Sequence, residues 1–323
     1  METPRLPLPL RSLLVVLLAV VASGSTAQQP ETYVAVRTEH GQPDLQGTWV
    51  ASFLTMLERP PGVERLVVDD EQAEAVAEQI WGRFPSVLDP DITLLDVRQL
   101  ARVRGELRTS IIVDPPDGHF PYTEAGLELA QRVMASQRHQ FDDPEQRPLP
   151  ERCLESLGAP PMRVVPSIIP LRIHQTRDHL LLLFEDPVGL RLVDLRSDAP
   201  PAAIRSVSGH GRGRFEGETL VVTTTHLLAA YPARFGLGRP VLLSPATEIV
   251  ERFTRVSETE IVYRFTVSDP QLYSESWSGE FSLSRFDQPM YEYACHEANY
   301  SLPYSLRGGQ AEADRLAAER DPG

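Results

Sequence analysis

A succession of short strand-like segments in the C-terminal half of the chain constrains the fold most. From Leu171 onward, stretches rich in Val, Ile, Leu, Phe and Thr are separated by turns such as Glu216-Gly217-Glu218. Apolar residues recur at every second position in Ile261–Val267 and in Trp277–Leu283, the period of a strand with one buried face. Successive short strands pair antiparallel and must protect their edges. The pattern therefore predicts an antiparallel β-barrel or half-barrel, whose last strand candidate is Tyr291–Cys295.

The residues before about position 170 have a different character. Apolar residues at helical spacing predict one helix beginning at Asp69 or Asp70 and a second over Thr123–Gln140. Residues 141–170 are rich in proline and acidic side chains, which favours an irregular wrap around the barrel.

These patterns together predict an α+β fold that is mostly β. We expect residues 28–307 to form one compact unit. The expected divisions are a signal peptide (1–27), an N-terminal strand with two helices and a wrap (28–170), a barrel region (171–307) and a charged tail (308–323).

The first 27 residues have the organisation of a secretory signal peptide. Arg5 and Arg11 precede the apolar run Ser12–Ala22, and small residues end at Ala27. The run is too short for a membrane span, which needs about 20 residues. We therefore expect a bacterial periplasmic or secreted protein without stable membrane insertion.

The two cysteines, Cys153 and Cys295, are the only thiols of the chain. In an oxidising compartment an even number of cysteines usually pairs. We therefore predict a Cys153–Cys295 disulfide, with a catalytic thiol as the rival interpretation.

Composition excludes several classes of function. Acidic residues outnumber basic ones by 45 to 31, for a formal net charge of -14, which argues against nucleic-acid binding. All 31 basic residues are arginine, so a Schiff-base or P-loop lysine is absent. The sequence contains no nucleophile elbow, zinc-helix motif or dinucleotide fingerprint, and it predicts neither cofactor nor metal. Ser208–Gly213 is glycine-rich but precedes a strand, and is interpreted as a flexible loop.

Two resemblances extend these expectations. Three stretches, Gly213–Val222, Val250–Arg255 and Tyr291–Tyr300, resemble a family of exported bacterial proteins that brings no assigned activity. Members often carry histidines around the acid that is Glu185 here, but Phe184 precedes it and Val188 follows it in this chain, so neither a metal role nor a base role is expected there. Separately, Gly47-Thr48-Trp49 is similar to the opening of lipocalin-like barrels, which implies an interior wide enough for one small ligand.

Strand alternation also selects a candidate site. Glu251 is an acid on an apolar strand face, so it is either ion-paired, with Arg191 or Arg264, or a general base with a raised pKa. We predict catalytic roles for His226, Glu251 and His296. We predict ligand contacts for Trp277, Tyr263 and Arg191.

Two classes of function fit this site. The first is an exported barrel that binds a small apolar or amphipathic molecule. The alternative is an enzyme of the same fold that uses histidine and carboxylate for general acid–base chemistry, such as isomerisation, cyclisation or hydrolysis. Whether the protein is an enzyme, and its oligomeric state, stay open from sequence.

Overall fold

The coordinates come from a computed structural model. It describes Met1 and residues 33–83, 97–139, 141, 143–147, 149, 151–154, 157–186, 188–196, 203–228, 233–234, 238–297 and 299–320. The chain divides into two compact units, Met1–Thr32 and Tyr33–Gly323, and every element below belongs to the second. Apart from Met1, the predicted signal peptide lies outside the described residues.

The secondary structure is mostly β, with 19% helix and 32% strand, which confirms the predicted fold class. The helices are α1 (Asp70–Trp81), α2 (Glu124–His139) and α3 (Ser301–Arg320). The strands are β1 (Gly47–Val50), β2 (Val67–Val68), β3 (Arg102–Val103), β4 (Glu106–Arg108), β5 (Ile112–Asp114), β6 (Leu171–Gln175), β7 (His179–Phe184), β8 (Leu190–Asp194), β9 (His210–Glu216), β10 (Thr219–Thr225), β11 (Ala233–Arg234), β12 (Val241–Leu242), β13 (Glu248–Arg255), β14 (Glu260–Ser268) and β15 (Trp277–Arg285).

Nine strands form a closed barrel in the order β1-β6-β7-β8-β9-β10-β13-β14-β15. The N-terminal strand β1 closes it, because Trp49 is registered with Arg285 of β15 on one side and with Leu171 of β6 on the other. Strand β5 pairs with the other end of β15, where Gly279 is registered with Ile112. The barrel is therefore complete and not a half-barrel.

One pair of barrel strands departs from the predicted antiparallel order. Strands β8 and β9 run parallel, with Val193 registered to Gly211 and Asp194 to Arg212. If all neighbours in a closed ring were antiparallel, strand direction would alternate, and the number of strands would be even. A nine-stranded barrel must therefore contain a parallel pair.

The barrel core is formed by the residues that the alternation placed inside. Tyr263 and Phe265 of β14 and Trp277 and Phe281 of β15 are each at most 2% exposed. Phe253 of β13 is registered with Tyr263, which is in turn registered with Phe281, so large aromatic side chains meet across neighbouring strands. Full burial of side chains of this size stabilises the fold by about 1.5–3 kcal/mol each.

The two predicted helices are confirmed with nearly the expected bounds. The Asp69 carboxylate accepts a hydrogen bond from Gln72 N at 2.9 Å and caps α1. Thr123 Oγ1 accepts one from Gly126 N at 3.0 Å at the start of α2. A Cβ at Gly126 would lie 2.2 Å from the Leu272 carbonyl oxygen, so glycine permits the close approach of α2 to the loop before β15.

Two sequence predictions are wrong. Tyr291–Cys295 is irregular and not a strand, because both edges of β15 already pair, with β14 on one side and with β1 and β5 on the other. The glycine-rich stretch beginning at Ser208 is not all loop, since β9 begins at His210. The C-terminal tail is helical from Ser301, and no residue of α3 is buried.

The predicted Cys153–Cys295 disulfide is present, with a Cα–Cα distance of 6.0 Å. It joins the irregular wrap to the segment that follows β15 across 142 residues of sequence. A loop of that length gives roughly 4 to 5 kcal/mol of stabilisation in the chain-entropy treatment.

Candidate functional site

A buried polar cluster lies inside the barrel, formed by Arg191 of β8, Glu251 of β13 and Tyr263 of β14. Arg191 Nη1 donates a hydrogen bond to Glu251 Oε1 at 2.9 Å, and Arg191 Nη2 contacts Oε2. Tyr263 Oη donates to Glu251 Oε1 at 2.8 Å. Glu251 and Tyr263 are 0% exposed and Arg191 is 5% exposed. Of the two partners open to Glu251 in the sequence, the structure selects Arg191, while Arg264 points outward.

Gly211 of β9 lies directly beside this cluster. Strand β9 lies between β8 and β10, and the Arg191 side chain passes it to reach Thr224 Oγ1 of β10 at 3.2 Å. A Cβ on Gly211 would lie 3.4 Å from Thr224 Oγ1 and 3.7 Å from Arg191 Nη2. A methyl group there would make ordinary van der Waals contacts, whereas a side chain longer than that of alanine would reach toward the Arg191 guanidinium.

The electrostatics of the cluster favour a charged pair beside a neutral phenol. Burial, and then the charge of Glu251, raises the pKa of Tyr263 well above its usual value. Burial alone would lower the pKa of Arg191, but the neighbouring Glu251 carboxylate outweighs it and raises that pKa. The Arg191–Glu251 ion pair therefore lies beside a phenol that keeps its proton.

Residues 157–169, which we call the plug, cover this cluster. The Met162 N–H donates to Tyr263 Oη at 2.9 Å. Arg191 Nη1 donates to the Gly158 carbonyl oxygen at 3.4 Å. Ala159 is 1% exposed and Met162 is 3% exposed. The plug therefore presents main-chain polar groups to the cluster and apolar side chains to the barrel core.

Two small cavities separate the plug from the barrel wall. The first, about 30 Å³, is lined by Met162, Phe184 and Phe281 among others. The second, about 10 Å³, is lined in part by Leu57, Met162 and Phe281. Such volumes hold one or two waters, whereas small-molecule sites are roughly 300–1,000 Å³. With the plug in place, this part of the interior is filled by protein.

The predicted catalytic residues are not all brought together. His226 directly follows β10, has a backbone φ of +61° and shares a hydrogen bond of 2.7 Å between its Nδ1 and Thr225 Oγ1. Its ring is 6.4 Å from that of His210. His296 is exposed, next to the disulfide. Of the three, only Glu251 belongs to the buried cluster, and the catalytic roles stay predictions.

The predicted ligand-contacting residues also separate into two places. Tyr263 and Arg191 lie in the cluster. Trp277 is 0% exposed and packs edge-on against Phe120 and Phe265 at ring-centroid distances of 4.8 and 5.5 Å. Its ligand-binding role stays a prediction.

Sequence reasoning missed the residues that surround the cluster: Gly158, Met162, Gly211 and Thr224. Two signals were present. Glycines at 209, 211 and 213 alternate with larger residues, which indicates a segment that other groups approach closely on one side. The run Gly158–Met162 is apolar although it lies within a polar, proline-rich stretch.

Within the described ranges, no three His, Cys, Asp or Glu side chains are arranged to hold a metal ion. No helix of the described chain is both long and apolar enough to cross a bilayer. Comparison with protein-family models, with curated proteins and with solved structures finds no significant match.

Proposed function

We propose that this protein is a binding module that takes a small, neutral amphipathic molecule into the barrel, at the position held by the plug. One observation carries the proposal. The buried cluster is bonded to main-chain groups of the plug, through Met162 N–H and the Gly158 carbonyl. A ligand with one acceptor and one donor could make the same contacts.

The burial of the cluster supports a role beyond stability. Apolar residues of similar volume often stabilise a core as well as a buried ion pair does, because desolvation offsets the attraction between the charges. Ionisable groups with strongly shifted pKa values concentrate at functional sites. Tyr263 has such a pKa, and its hydroxyl is bonded to the buried Arg191–Glu251 pair in the middle of the barrel interior.

The charge balance of the cluster selects the ligand class. Arg191 and Glu251 already neutralise each other, so a charged ligand would leave an uncompensated buried charge, which is strongly unfavourable. A carbonyl, amide or hydroxyl head group on an apolar body would meet both requirements. Phe184 and Phe281, which line the first cavity, would contact that body.

The contacts of Glu251 favour binding over the alternative of acid–base catalysis. Three of the roughly four lone-pair positions of the carboxylate already accept contacts from Arg191 and Tyr263. A general base needs a lone pair that can reach the substrate.

The test uses Nile red, a neutral apolar dye, with the full-length mature protein. We expect saturable fluorescence that a long-chain primary amide displaces more effectively than the matching alkane or carboxylate. Met162→Asp places a charge in the buried part of the plug and should raise dye uptake by displacing it. Ile168→Asp is the matched control, because Ile168 is an exposed plug residue, 58% accessible.

A double variant, Arg191→Met with Glu251→Met, tests the polar contacts without leaving a single buried charge. It should bind the dye but lose the preference for the amide over the alkane. Absence of saturable uptake by both the wild type and Met162→Asp would refute the proposal, as would an unchanged preference in the double variant.

We further infer that the protein is exported, as the resemblance to exported bacterial proteins implies. The Cys153–Cys295 disulfide supports this, because such bonds persist in oxidising compartments. Sequencing the mature protein from the periplasm or medium should find a new N-terminus at Gln28. A full-length chain retained in the cytoplasm would contradict the inference.

A further inference from the structure

A cleft lined by arginines lies outside the barrel interior, at the junction of β8 and β9. It has a volume of about 240 Å³ and is lined by Leu195, Arg196, Arg212, Gly213, Arg214 and Thr223. We call it the seam cleft. It exists because the β8–β9 ladder has only the pairs Val193–Gly211 and Asp194–Arg212, while β9 continues to Glu216.

Strand geometry places the polar side chains of the cleft on one surface. Arg212 and Arg214 are two residues apart on β9, so their side chains leave the same face of the strand. Thr223 of β10 is registered directly opposite Arg212, at a distance where cross-strand side chains meet. Leu220, Val222 and Thr224, which alternate with Thr223, are the buried inner residues of β10.

One of the three arginines in the cleft differs from the other two in its pairing. Of its six lining residues three are arginine and none is acidic, although the chain as a whole carries a net charge of -14. Arg214 Nη2 donates to Glu216 at 2.6 Å and Arg196 is bonded to Asp194. The half-buried Arg212 side chain has no hydrogen bond or ion pair within the described part of the chain.

A guanidinium without a partner in the described chain, in a cleft that two further arginines also line, favours the binding of an anion. The Arg212 guanidinium offers several N–H donors, Arg214 retains others beyond its one bond to Glu216, and Thr223 adds a hydroxyl. Guanidinium forks match the oxygens of phosphate, and such charge-assisted bonds are stronger than neutral ones.

We propose that the seam cleft binds a phosphate group, carried either by inorganic phosphate or by a small phosphomonoester. The arginines supply the charge and the bidentate contacts, and Thr223 supplies a hydroxyl donor. Leu195 forms an apolar side of the cleft, which favours an ester whose alcohol carries carbon atoms next to the phosphate. This site is independent of the proposed ligand position inside the barrel.

The experiment is isothermal titration of the mature protein with inorganic phosphate and with glycerol phosphate, in separate arms at constant ionic strength. Tighter binding of the ester would identify a phosphomonoester site, and equal or tighter binding of phosphate would identify the free ion. Succinate, a dicarboxylate, should bind more weakly than both. Affinity should rise from pH 5 to pH 8, because the second phosphate proton dissociates near about pH 6.

Arg212→Gln should weaken binding about tenfold or more, the size expected for loss of a charged hydrogen-bond donor. The matched control is Arg65→Gln, since Arg65 is an exposed arginine that likewise forms no ion pair within the described ranges. Circular dichroism should show both variants folded. An equal loss in both variants would indicate non-specific attraction, and no measurable binding in either arm would also overturn the proposal.

Discussion

The barrel wall at β13–β15 and the plug differ in what holds them in place. The wall strands are joined by continuous antiparallel ladders, from Glu248–Ser268 to Arg255–Ile261 between β13 and β14. The plug has no ladder partner within the described chain, and it is held to the cluster by isolated bonds such as Met162 N–H to Tyr263 Oη. Its covalent anchor, Cys153, lies outside the plug itself.

The two regions therefore differ in how many contacts must break for each of them to open. Opening a wall strand breaks many ladder hydrogen bonds together and exposes the aromatic core. Withdrawing the plug breaks a few hydrogen bonds and exposes the apolar side chains that it packs against the barrel. Segments with few cooperative contacts open at lower free energy than the global transition. We therefore expect the plug to open before the barrel wall does, which the proposed binding function requires.

The largest effect on stability is expected from removing Glu251, the wall residue at the centre of the buried cluster. Glu251→Ala leaves Arg191 buried without the carboxylate that compensates its charge, which should lower the free energy of unfolding by about 3–5 kcal/mol. Urea denaturation measures this. Glu216→Ala removes an exposed carboxylate that pairs with Arg214 and Arg252 and should change stability far less. Equal losses of stability in the two variants would show that the buried Arg191–Glu251 pair contributes no more than an exposed ion pair does.

The next largest effect should come from removing the disulfide that anchors the segment before the plug. Replacing both Cys153 and Cys295 with serine should lower stability by about 2–5 kcal/mol. Limited proteolysis should then cleave at residues 157–169 before any wall strand. First cleavage within β13–β15 would contradict the assignment of the plug as the less stable region.

A smaller effect is expected from removing the Tyr263 hydroxyl, which contacts both the cluster and the plug. Tyr263→Phe removes the hydroxyl that links Glu251 to Met162, which should cost about 1–3 kcal/mol. Tyr304→Phe, on a 63% exposed tyrosine of α3, is the control and should be neutral.

The same tyrosine predicts a pH dependence. Its pKa is raised in the fold by burial, so the native state holds the phenol proton more tightly than the unfolded state. This contribution is complete below the unfolded value of about 10, and it is lost as pH rises above it. Unfolding from pH 8 to 11 should therefore show a shallower alkaline decline in Tyr263→Phe than in the wild type. An identical decline would contradict the proposed coupling.

The smallest effect lies outside both regions. Asp69→Ala removes the cap of α1 and should cost about 1 kcal/mol. Asp70→Ala, whose side chain is 91% exposed, is the control. Hydrogen exchange should show the loss in α1 and not in the barrel, and a change that spread to β13–β15 would show that the two parts unfold together.

Local sequence patterns correctly predicted most strands of the barrel wall and the helices α1 and α2. The alternation in Ile261–Val267 identified the inner face of β14 correctly, because burial on one side of a strand imposes a period of two. The capping aspartate and apolar spacing located α1 for a similar local reason. The same local reasoning placed Glu251 on an apolar face, and so identified one member of the cluster.

Sequence by itself determined the fold class, the two helices, the inner faces of the long strands and the pairing of the only two cysteines. Four features became visible only in the tertiary structure: closure of the barrel by β1, the parallel β8–β9 pair, the ion pair of Glu251 with Arg191, and the position of the plug inside the barrel. Each of these joins residues far apart in sequence. Local periodicity constrains only neighbours along the chain, whereas ring closure, the parity of the strand number and the contacts across the interior arise once the strands are assembled.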